Sequence, residues 1–482
     1  MKLSDLLKDV EIITQTADMA MEITGVCHDS RKAVAGCVFV AVSGFAVDGH
    51  DYIASAVKNG AAAVICERIP DCGVPYVLVR DARLALAIVS GNYFGRPSDK
   101  MTVIGVTGTN GKTTTTYLLK HLLEDKLGAK VGLVGTNGNM IGNEFISSDR
   151  TTPESYELQE LFSRMLHEGC THVVMEVSSH SLVLHRVAGI DFDVGIFTNL
   201  TQDHLDFHHT MEEYAGAKAE LFSMCRVGCV NADDAWTRTV TAKASCRLSS
   251  YSTRDISADL YASDIKLLPQ GVHFTAAAGE EKAEVSLAIP GKFSVYNALG
   301  VISAGLALGL ELSDCADAMR TARGVKGRME IAQTDGDYTM VIDYAHTPDA
   351  LENALKALGR NDQRRLIALF GCGGDRDRTK RPIMGDIASK YADFVIVTSD
   401  NPRTEDPLKI IDDIRAGLTT ENYIVIPDRI KAIQWAMDVH RPGDVILLAG
   451  KGHEDYQEIG HEKHHLDERE IIADYIEKRK NR

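Results

Sequence analysis

The 482-residue chain has no apolar run near the ~20 residues needed to cross a bilayer. Its best candidate, Val301–Leu310, is short and rich in glycine and alanine. The opening MKLSDLLKDVEI alternates charge with apolar residues and lacks a hydrophobic core segment, so it is not read as a signal peptide. The ten cysteines are scattered from Cys27 to Cys372, and the one close pair, Cys225 and Cys229, has no matching second pair. That spacing argues against a zinc site or disulfide framework and for a reducing cytoplasm. Positive charge is outnumbered: 52 Lys plus Arg against 68 Asp plus Glu leave a net −16. Such a surface repels a phosphate backbone and argues against a general nucleic-acid binder, although a local basic pocket can still take small anions. Repeats and low-complexity segments are missing, as are a G-x-S-x-G motif and a convincing Cys–His pair, so no covalent acyl-enzyme is suggested. What remains is a globular composition, 44% apolar and 25% charged, long enough for about three domains.

The first stretch carries short strand-like runs at Cys37–Val42, Ala62–Cys66 and Tyr76–Val79 and ends in the linker-like GRPSD, 95–99. A second unit opens with MTVIGV at 101–106. A Gly/Thr-rich turn and a helical stretch, Thr114–Lys126, follow, and further strands are expected at Val131–Val134, His172–Met175 and Val194–Phe197. GVKGR at 324–328 reads as a second boundary and hinge. Strands are then expected at Thr339–Ile342, Arg365–Phe370, Phe394–Thr398 and Asp444–Ala449, each followed by a polar turn. Strands alternating with helices predict α/β units with mostly parallel sheets and ligand groups at the strands' carboxyl ends.

GVTGTNGKTTTT at 105–116 stands directly between a strand and a helix. That context suits a phosphate loop. Glycines let backbone N–H groups approach phosphate oxygens, the helix N-terminus adds positive potential, Lys112 reaches terminal phosphates and the Thr113 hydroxyl holds Mg²⁺. It departs from the strict G-x-x-x-x-G-K-[ST], since Val106 stands five before Gly111. The plain alternative is a threonine-capped Gly-rich turn.

The loop resembles the GTNGKTT loop of the Mur ligase family. Glu176-Val-Ser-Ser-His, Asn199-Leu-Thr-Gln-Asp-His204, Tyr214-x-x-x-Lys218, Tyr296-Asn297, Gly327-Arg328, Asp343-Tyr-Ala-His346 and Asp400-Asn-Pro-Arg403 follow in the family's order and span nearly the whole chain. The resemblance implies three α/β domains: a small uridine-binding domain over 1–98, a central P-loop ATPase-like domain over 99–328, and a Rossmann-like amino-acid-binding domain over 329–482. It implies ATP held by Gly108, Thr109, Asn110, Gly111, Lys112, Thr113 and Thr114. Asn297 would contact the adenine, Arg328 the γ-phosphate and Asp343 the ribose. It also implies two Mg²⁺ ions on Thr113, Glu176, His204 and a CO₂-derived carbamate of Lys218. By residue type alone His204 is equally a hydrogen-bonded loop histidine, and by spacing alone Lys218 is a solvated surface lysine.

Within the family, Asp29-Ser30-Arg31 and Val42-Ser43-Gly44 resemble uridine-nucleotide contacts of the branch that adds the third residue to the muramoyl peptide; alone, the first is a simple turn. Thr151, Thr152, Ser178 and Arg186 resemble contacts to its acceptor, UDP-N-acetylmuramoyl-L-alanyl-D-glutamate. Leu184 departs from relatives that carry a polar residue there. The DNPR turn, Asp400, Asn401, Pro402 and Arg403, resembles that of relatives adding meso-diaminopimelate. There Arg403 would pair with the distal carboxylate, Glu454 would take the distal ammonium, and Arg376 and Gly450 would make further contacts. The implied activity is cytoplasmic, ATP-dependent amide ligation through an acyl phosphate, by a monomer. An L-lysine-adding version, folate polyglutamylation and an ATP-driven switch that makes no bond remain the competing readings.

Overall fold

The computed structural model describes residues 1–44, 47–148, 150–268, 271–359 and 364–480. Hydrophobic runs form three sheets in turn. The first has the order Ile12–Gln15, Tyr76–Val79, Ala63–Cys66, Cys37–Val40, Gly25–Cys27, parallel except at the Ile12–Gln15 edge. Its strands are buried on both faces. Val38, Val40, Ala63 and Ile65 face Leu3, Leu6 and Leu86, while Phe39, Val64 and Cys66 face Ile53 and Ala56.

The second sheet has eleven strands. Thr102–Thr107 lies in its middle, parallel to His172–Glu176 on one side and Phe192–Phe197 on the other. The loops leaving these three strands therefore meet at one sheet edge. Helix Lys112–Leu127 follows the first strand and ends at Gly128 in the left-handed region. Its Leu118, Leu119, Leu122 and Leu123 are buried with Val295, Leu299 and Ile302 of helix Lys292–Ala307. That second helix contains most of the apolar run at 301–310. Among the described residues no helix is long and apolar enough to cross a membrane.

The third sheet runs Glu330–Ala332, Thr339–Asp343, Val445–Ala449, Leu366–Phe370, Phe394–Val397, Tyr423–Val425, with only the first strand antiparallel. Its parallel strands point Asp343, the 371–381 loop, the 398–403 turn and the 450–454 loop to one edge.

Three findings add to these expectations. The sequence reading missed an antiparallel meander, Leu260–Leu268, Gly271–Ala278 and Glu281–Leu287, at the far edge of the large sheet. Its buried Val272, Phe274 and Ala276 do alternate, but alanines blur the pattern. GRPSD is a packed corner instead of a free linker: Arg96 sits at φ 51°, Pro97 and Ser98 are buried, and the Arg96 guanidinium bonds Asp99 and Asp9. GVKGR is likewise clamped. Gly327, at φ +70°, lies so close to Gly452 and His453 that a Cβ would overlap their backbone.

Tight packing also governs the strand that feeds the phosphate loop. A Cβ on Gly105 would lie 2.8 Å from the Phe192 ring and 3.1 Å from Val177. Gly105→Ala should therefore cost about 1–3 kcal/mol, read as a lowered thermal midpoint. An unchanged midpoint would show that the Phe192 side yields freely.

Candidate active site

The phosphate loop is pinned from outside. Asn110 N–H donates to Asn199 Oδ1 (2.9 Å), and the Thr198 hydroxyl donates to Asn110 O (2.7 Å). Thr109 N–H donates to Asn199 O (2.9 Å). Gly108 and Gly111 have φ of +151° and +85°, and a Cβ on Gly111 would press on Asn297 Oδ1 at 2.5 Å. The segment directly after strand Phe192–Phe197 thus sets the loop, and the first N–H groups of helix Lys112–Leu127 lack intrahelical partners.

Two lysines converge beneath it. Lys112 Nζ donates to the carbonyls of Gly108 (2.9 Å) and Thr109 (2.8 Å), and Lys218 Nζ donates to the same Gly108 carbonyl (3.0 Å). Lys112 is therefore folded back onto its own loop. Lys218 is 1% exposed, contrary to a surface lysine. Burial pushes its ammonium well below the ordinary lysine range, the Lys112 cation pushes further, and Asp203 only partly opposes them. Burial likewise lowers Lys112, against Glu176 and Asp203. The Lys218 ammonium rests 4.5 Å over the Tyr214 ring, whose hydroxyl meets Thr109 Oγ1 at 3.2 Å.

Above the loop opens a cavity of about 510 Å³ between the large sheet and the third sheet. Thr109, Asn110, Gly111, Lys112, Thr113, Thr114, Glu176, His204, Asn297, Arg328 and Asp343 all line it, as does Thr151. Arg328 donates from Nη2 to Thr113 Oγ1 (3.0 Å) and lies 4.6 Å over the Tyr344 ring. The Asp343 carboxylate accepts from Met329 N–H (2.7 Å), and burial raises its pKa. Asn110 Nδ2 donates to Asp349 Oδ2 (2.9 Å) across the two units. The Glu176 carboxylate accepts from both the N–H and the hydroxyl of Thr136, each at 2.9 Å. His204, at φ 53°, meets Asp203 at 3.4 Å and the His180 ring edge-on at 5.0 Å.

Among the described residues no group of three or more His, Cys, Asp or Glu side chains is placed to hold a metal by itself. The oxygen of Glu176, the Thr113 hydroxyl and a neutral His204 still suit a cation that takes most of its ligands from phosphate and water.

A second cluster lies beside it. Thr152 Oγ1 donates to Glu176 O (2.9 Å) and meets Ser178 Oγ at 3.3 Å. Arg186 donates to Thr152 O (3.2 Å) and pairs with Glu154 (2.8 Å), a carboxylate that the sequence reading overlooked. Leu184, half-buried, caps the short helix Ser179–Val183. Ser30 belongs to neither cluster. It is buried, with its carbonyl on Asn59 Nδ2 (2.8 Å), while neighbouring His28 meets Glu157 of the central unit at 3.1 Å.

The third cluster is at the carboxyl edge of the third sheet. Arg403, at φ 50°, donates from Nε to Glu458 (2.9 Å) and from Nη1 to Gly374 O (2.8 Å), leaving Nη2 without a hydrogen bond among the described residues. Asn401 Nδ2 donates to Glu454 (2.9 Å). Gly450, at φ +116°, has no room for a Cβ beside Asp400 Oδ2. Pro402 O crowds Gly374 in the same way, and the Arg376 stem lies by Gly373 next to the Arg403 fork.

A ligase from Caldanaerobacter subterraneus, UDP-N-acetylmuramoyl-L-alanyl-D-glutamate–2,6-diaminopimelate ligase, is 49% identical over 481 residues, 99% of each chain. The chain belongs to the Mur ligase family. Residues 22–93, 106–305 and 327–452 of this Mur ligase match, respectively, the Mur ligase family catalytic domain, the Mur ligase middle domain and the Mur ligase glutamate ligase domain. A relative of the same activity from Clostridium acetobutylicum is 46% identical over 482 residues, 99% of each chain. A solved structure of a UDP-N-acetylmuramoyl-L-alanyl-D-glutamate–2,6-diaminopimelate ligase superposes with a TM-score of 0.72 at 32% identity, covering 100% of this chain and 99% of that one. The expected three-unit α/β fold is the one this Mur ligase has.

Several lining groups were within reach of sequence reasoning. Asn199 and Asp203 sit inside NLTQDH, Lys451 inside AGKGHED, and Asp349 just after DYAHTP. Thr136 and Glu458 carry no motif signal. The site also makes a testable statement about charge. Burial, then the cations around it, holds His204 down to about 3 against Asp203; His208 falls to about 4 and His453 to about 3 for the same first reason. These rings stay neutral in the folded chain between those values and the unfolded 6.5, so the stability they confer is complete above about 6.5 and drains away as pH falls. Long-range ¹⁵N spectra should show neutral imidazoles at these three positions at pH 5.5; a charged His204 there would contradict the buried geometry.

Proposed function

We propose that this Mur ligase adds meso-diaminopimelate to the D-glutamate of UDP-N-acetylmuramoyl-L-alanyl-D-glutamate in peptidoglycan precursor synthesis in the cytoplasm, forming ADP and phosphate. The named relatives supply the acceptor and the amine. The observation that carries the reading is the meeting of Lys112 and Glu176 of the large sheet's edge with Arg328 and Asp343 around one cavity, while the Asp400–Arg403 turn leaves the same edge of the third sheet as Asp343. Units over 1–98, 99–328 and 329–482 would then handle uridine nucleotide, ATP and amino acid; the three sheets, 12–79, 102–287 and 330–449, lie inside those cuts.

In this reading Gly108 to Thr114 cradle the triphosphate, and Lys112 leaves the loop carbonyls for phosphate oxygen. Asn297 reads the adenine, Asp343 the ribose and Arg328 the γ-phosphate. Thr113 and Glu176 would hold one Mg²⁺, and His204 with a carbamate on Lys218 a second. Bound, these ions neutralise the phosphate oxygens during transfer. Burial disfavours the charged form of Lys218, and the neutral amine is the form that takes up CO₂. Thr151, Thr152, Ser178 and Arg186 orient the acceptor, and Ser30 contributes to its uridine end. The acceptor carboxylate oxygen attacks the γ-phosphorus as the bond to ADP breaks. The amine nitrogen then attacks the acyl carbon, loses a proton and expels phosphate, leaving the amide. Arg403 and Arg376 face the distal carboxylate of the diamino acid. Glu454, supported by Gly450 and the Asp400–Asn401–Pro402 backbone, faces its distal ammonium.

Mass analysis of the product from UDP-sugar dipeptide, ATP and each amine tests the reading. The diaminopimelate adduct should dominate, and equal or better incorporation of lysine would reject the role of Arg403. Phosphate release independent of amine and acceptor would favour a bond-free switch. Lys218→Ala should lose activity on the order of 10²-fold or more, partly restored by short-chain carboxylic acids standing in for the carbamate. Full activity of that variant would remove the carbamate from the scheme.

A further inference from the structure

Behind the amino-acid seat lies an ammonium group to which the scheme above gives no role. Lys451 is fully buried on the loop that follows strand Val445–Ala449. Its Nζ donates to Asn401 Oδ1 and to Glu454 Oε2 (3.1 Å), and stands 3.7 Å from Asp400 Oδ1 and 5.5 Å from the Tyr456 ring centre. Asn401 passes the constraint on in two directions. Its Nδ2 donates to the same Glu454 oxygen (2.9 Å), and its Oδ1 also accepts from Glu458 N–H (2.9 Å). Glu458 in turn holds Arg403 twice, accepting from Arg403 N–H at its carbonyl (3.1 Å) and from Nε at its carboxylate (2.9 Å). One buried cation therefore sits at the root of both arms of the seat, the Glu454 carboxylate and the Arg403 fork.

We infer that Lys451 is a positioning residue for the amino-acid substrate, setting the spacing and direction of Glu454 and Arg403 through Asn401. The inference rests on the proposed ligation and goes beyond it. A residue that merely filled space would need no charge, and an unpaired ammonium would not survive at zero exposure. The surrounding charges explain why a cation belongs there. Arg403 is paired with Glu458, and Arg429 with Glu468 at 2.8 Å. That leaves a buried Asp400 and a partly buried Glu454, with Lys451 between them and Arg429 3.9 Å from Asp400. Without Lys451, two neighbouring carboxylates would face the incoming zwitterionic end with only Arg429, itself paired with Glu468, beside Asp400, and one would take up a proton.

The titration that follows has a definite sign. Burial pushes Asp400 up, and Lys451 with Arg429 and His346 more than offsets it. Burial pushes Glu454 up, Lys451 pulls it back, and Asp400 opposes. Glu468, Tyr344 and Tyr456 are the remaining ionisable neighbours. Removing the ammonium raises both carboxyls, so the acidic limb of kcat/KM for diaminopimelate moves to higher pH.

The test uses the full chain with ATP, UDP-sugar dipeptide and diaminopimelate. Lys451→Met should raise KM for diaminopimelate roughly tenfold or more, leave KM for ATP and dipeptide within about twofold, and shift the acidic limb upward. Lys451→Arg, which keeps a cation, should leave that limb in place. If Lys451→Met does not fold, Lys451→Gln carries the same expectations. An unchanged KM for diaminopimelate, or an equal loss on all three substrates with an unmoved limb, overturns the inference. Failure of the wild type to join its two substrates would instead overturn the ligase reading. Calorimetric titration of diaminopimelate into wild type and Lys451→Met would then still decide the role of Lys451, equal affinities refuting it.

Discussion

Two ammonium groups sharing one carbonyl oxygen set the character of this protein. Lys112 and Lys218 both donate to Gly108 O, and each is held in a region that disfavours its charge. Like charges so close in a medium poor in water call for anions. The loop offers only carbonyl dipoles, so the arrangement is poised for phosphate oxygens and, in the proposed scheme, for a carbamate. The rest of the active site is arranged around that demand. Gly108 and Gly111 keep the loop open, Asn199 and Thr198 hold it still, and in the proposed scheme Arg328 adds positive charge beside the transferring phosphoryl group while Glu176 would hold a metal ion.

That constraint explains why the fold puts its functional groups where it does. Parallel strands release their loops at one edge, and the two large sheets turn those edges toward each other. Asn110 bonding Asp349 is where the two units touch through the phosphate loop itself, and Arg328, at the boundary between them, bonds Thr113. The connector at 324–328 is packed through Gly327 against the 450–454 loop, the loop that also carries Glu454.

The seat is built on a different principle from the cavity. Its charges are matched in pairs before any ligand arrives: Arg403 with Glu458, Arg429 with Glu468, Lys451 with Glu454. Such ion pairs add little net stability, but they fix direction, and a site that in the proposed scheme reads both ends of a diamino diacid needs direction more than affinity.

Much of this was legible from residues alone. The strand–GTNGKTT–helix unit announced itself because phosphate binding needs glycine, lysine and threonine at set local spacings. The alternation of short apolar runs with helical stretches announced parallel sheets, because both faces of each strand must be apolar. The motif order along the chain pointed to the family. Burial and pairing could not be read this way. Lys218 looks like a surface lysine in EEYAGAKAELF, Lys451 is one more lysine in AGKGHED, and GRPSD looks like a linker. Local sequence determines which backbone a segment adopts and which chemistry it can carry. Only the tertiary structure decided that Lys218 meets Gly108, that Glu154 and Glu458 claim Arg186 and Arg403, and that Lys451 stands between two carboxylates. Those pairings join residues from 3 to 110 positions apart in the chain, and their energy comes from desolvation, which no stretch of sequence contains by itself.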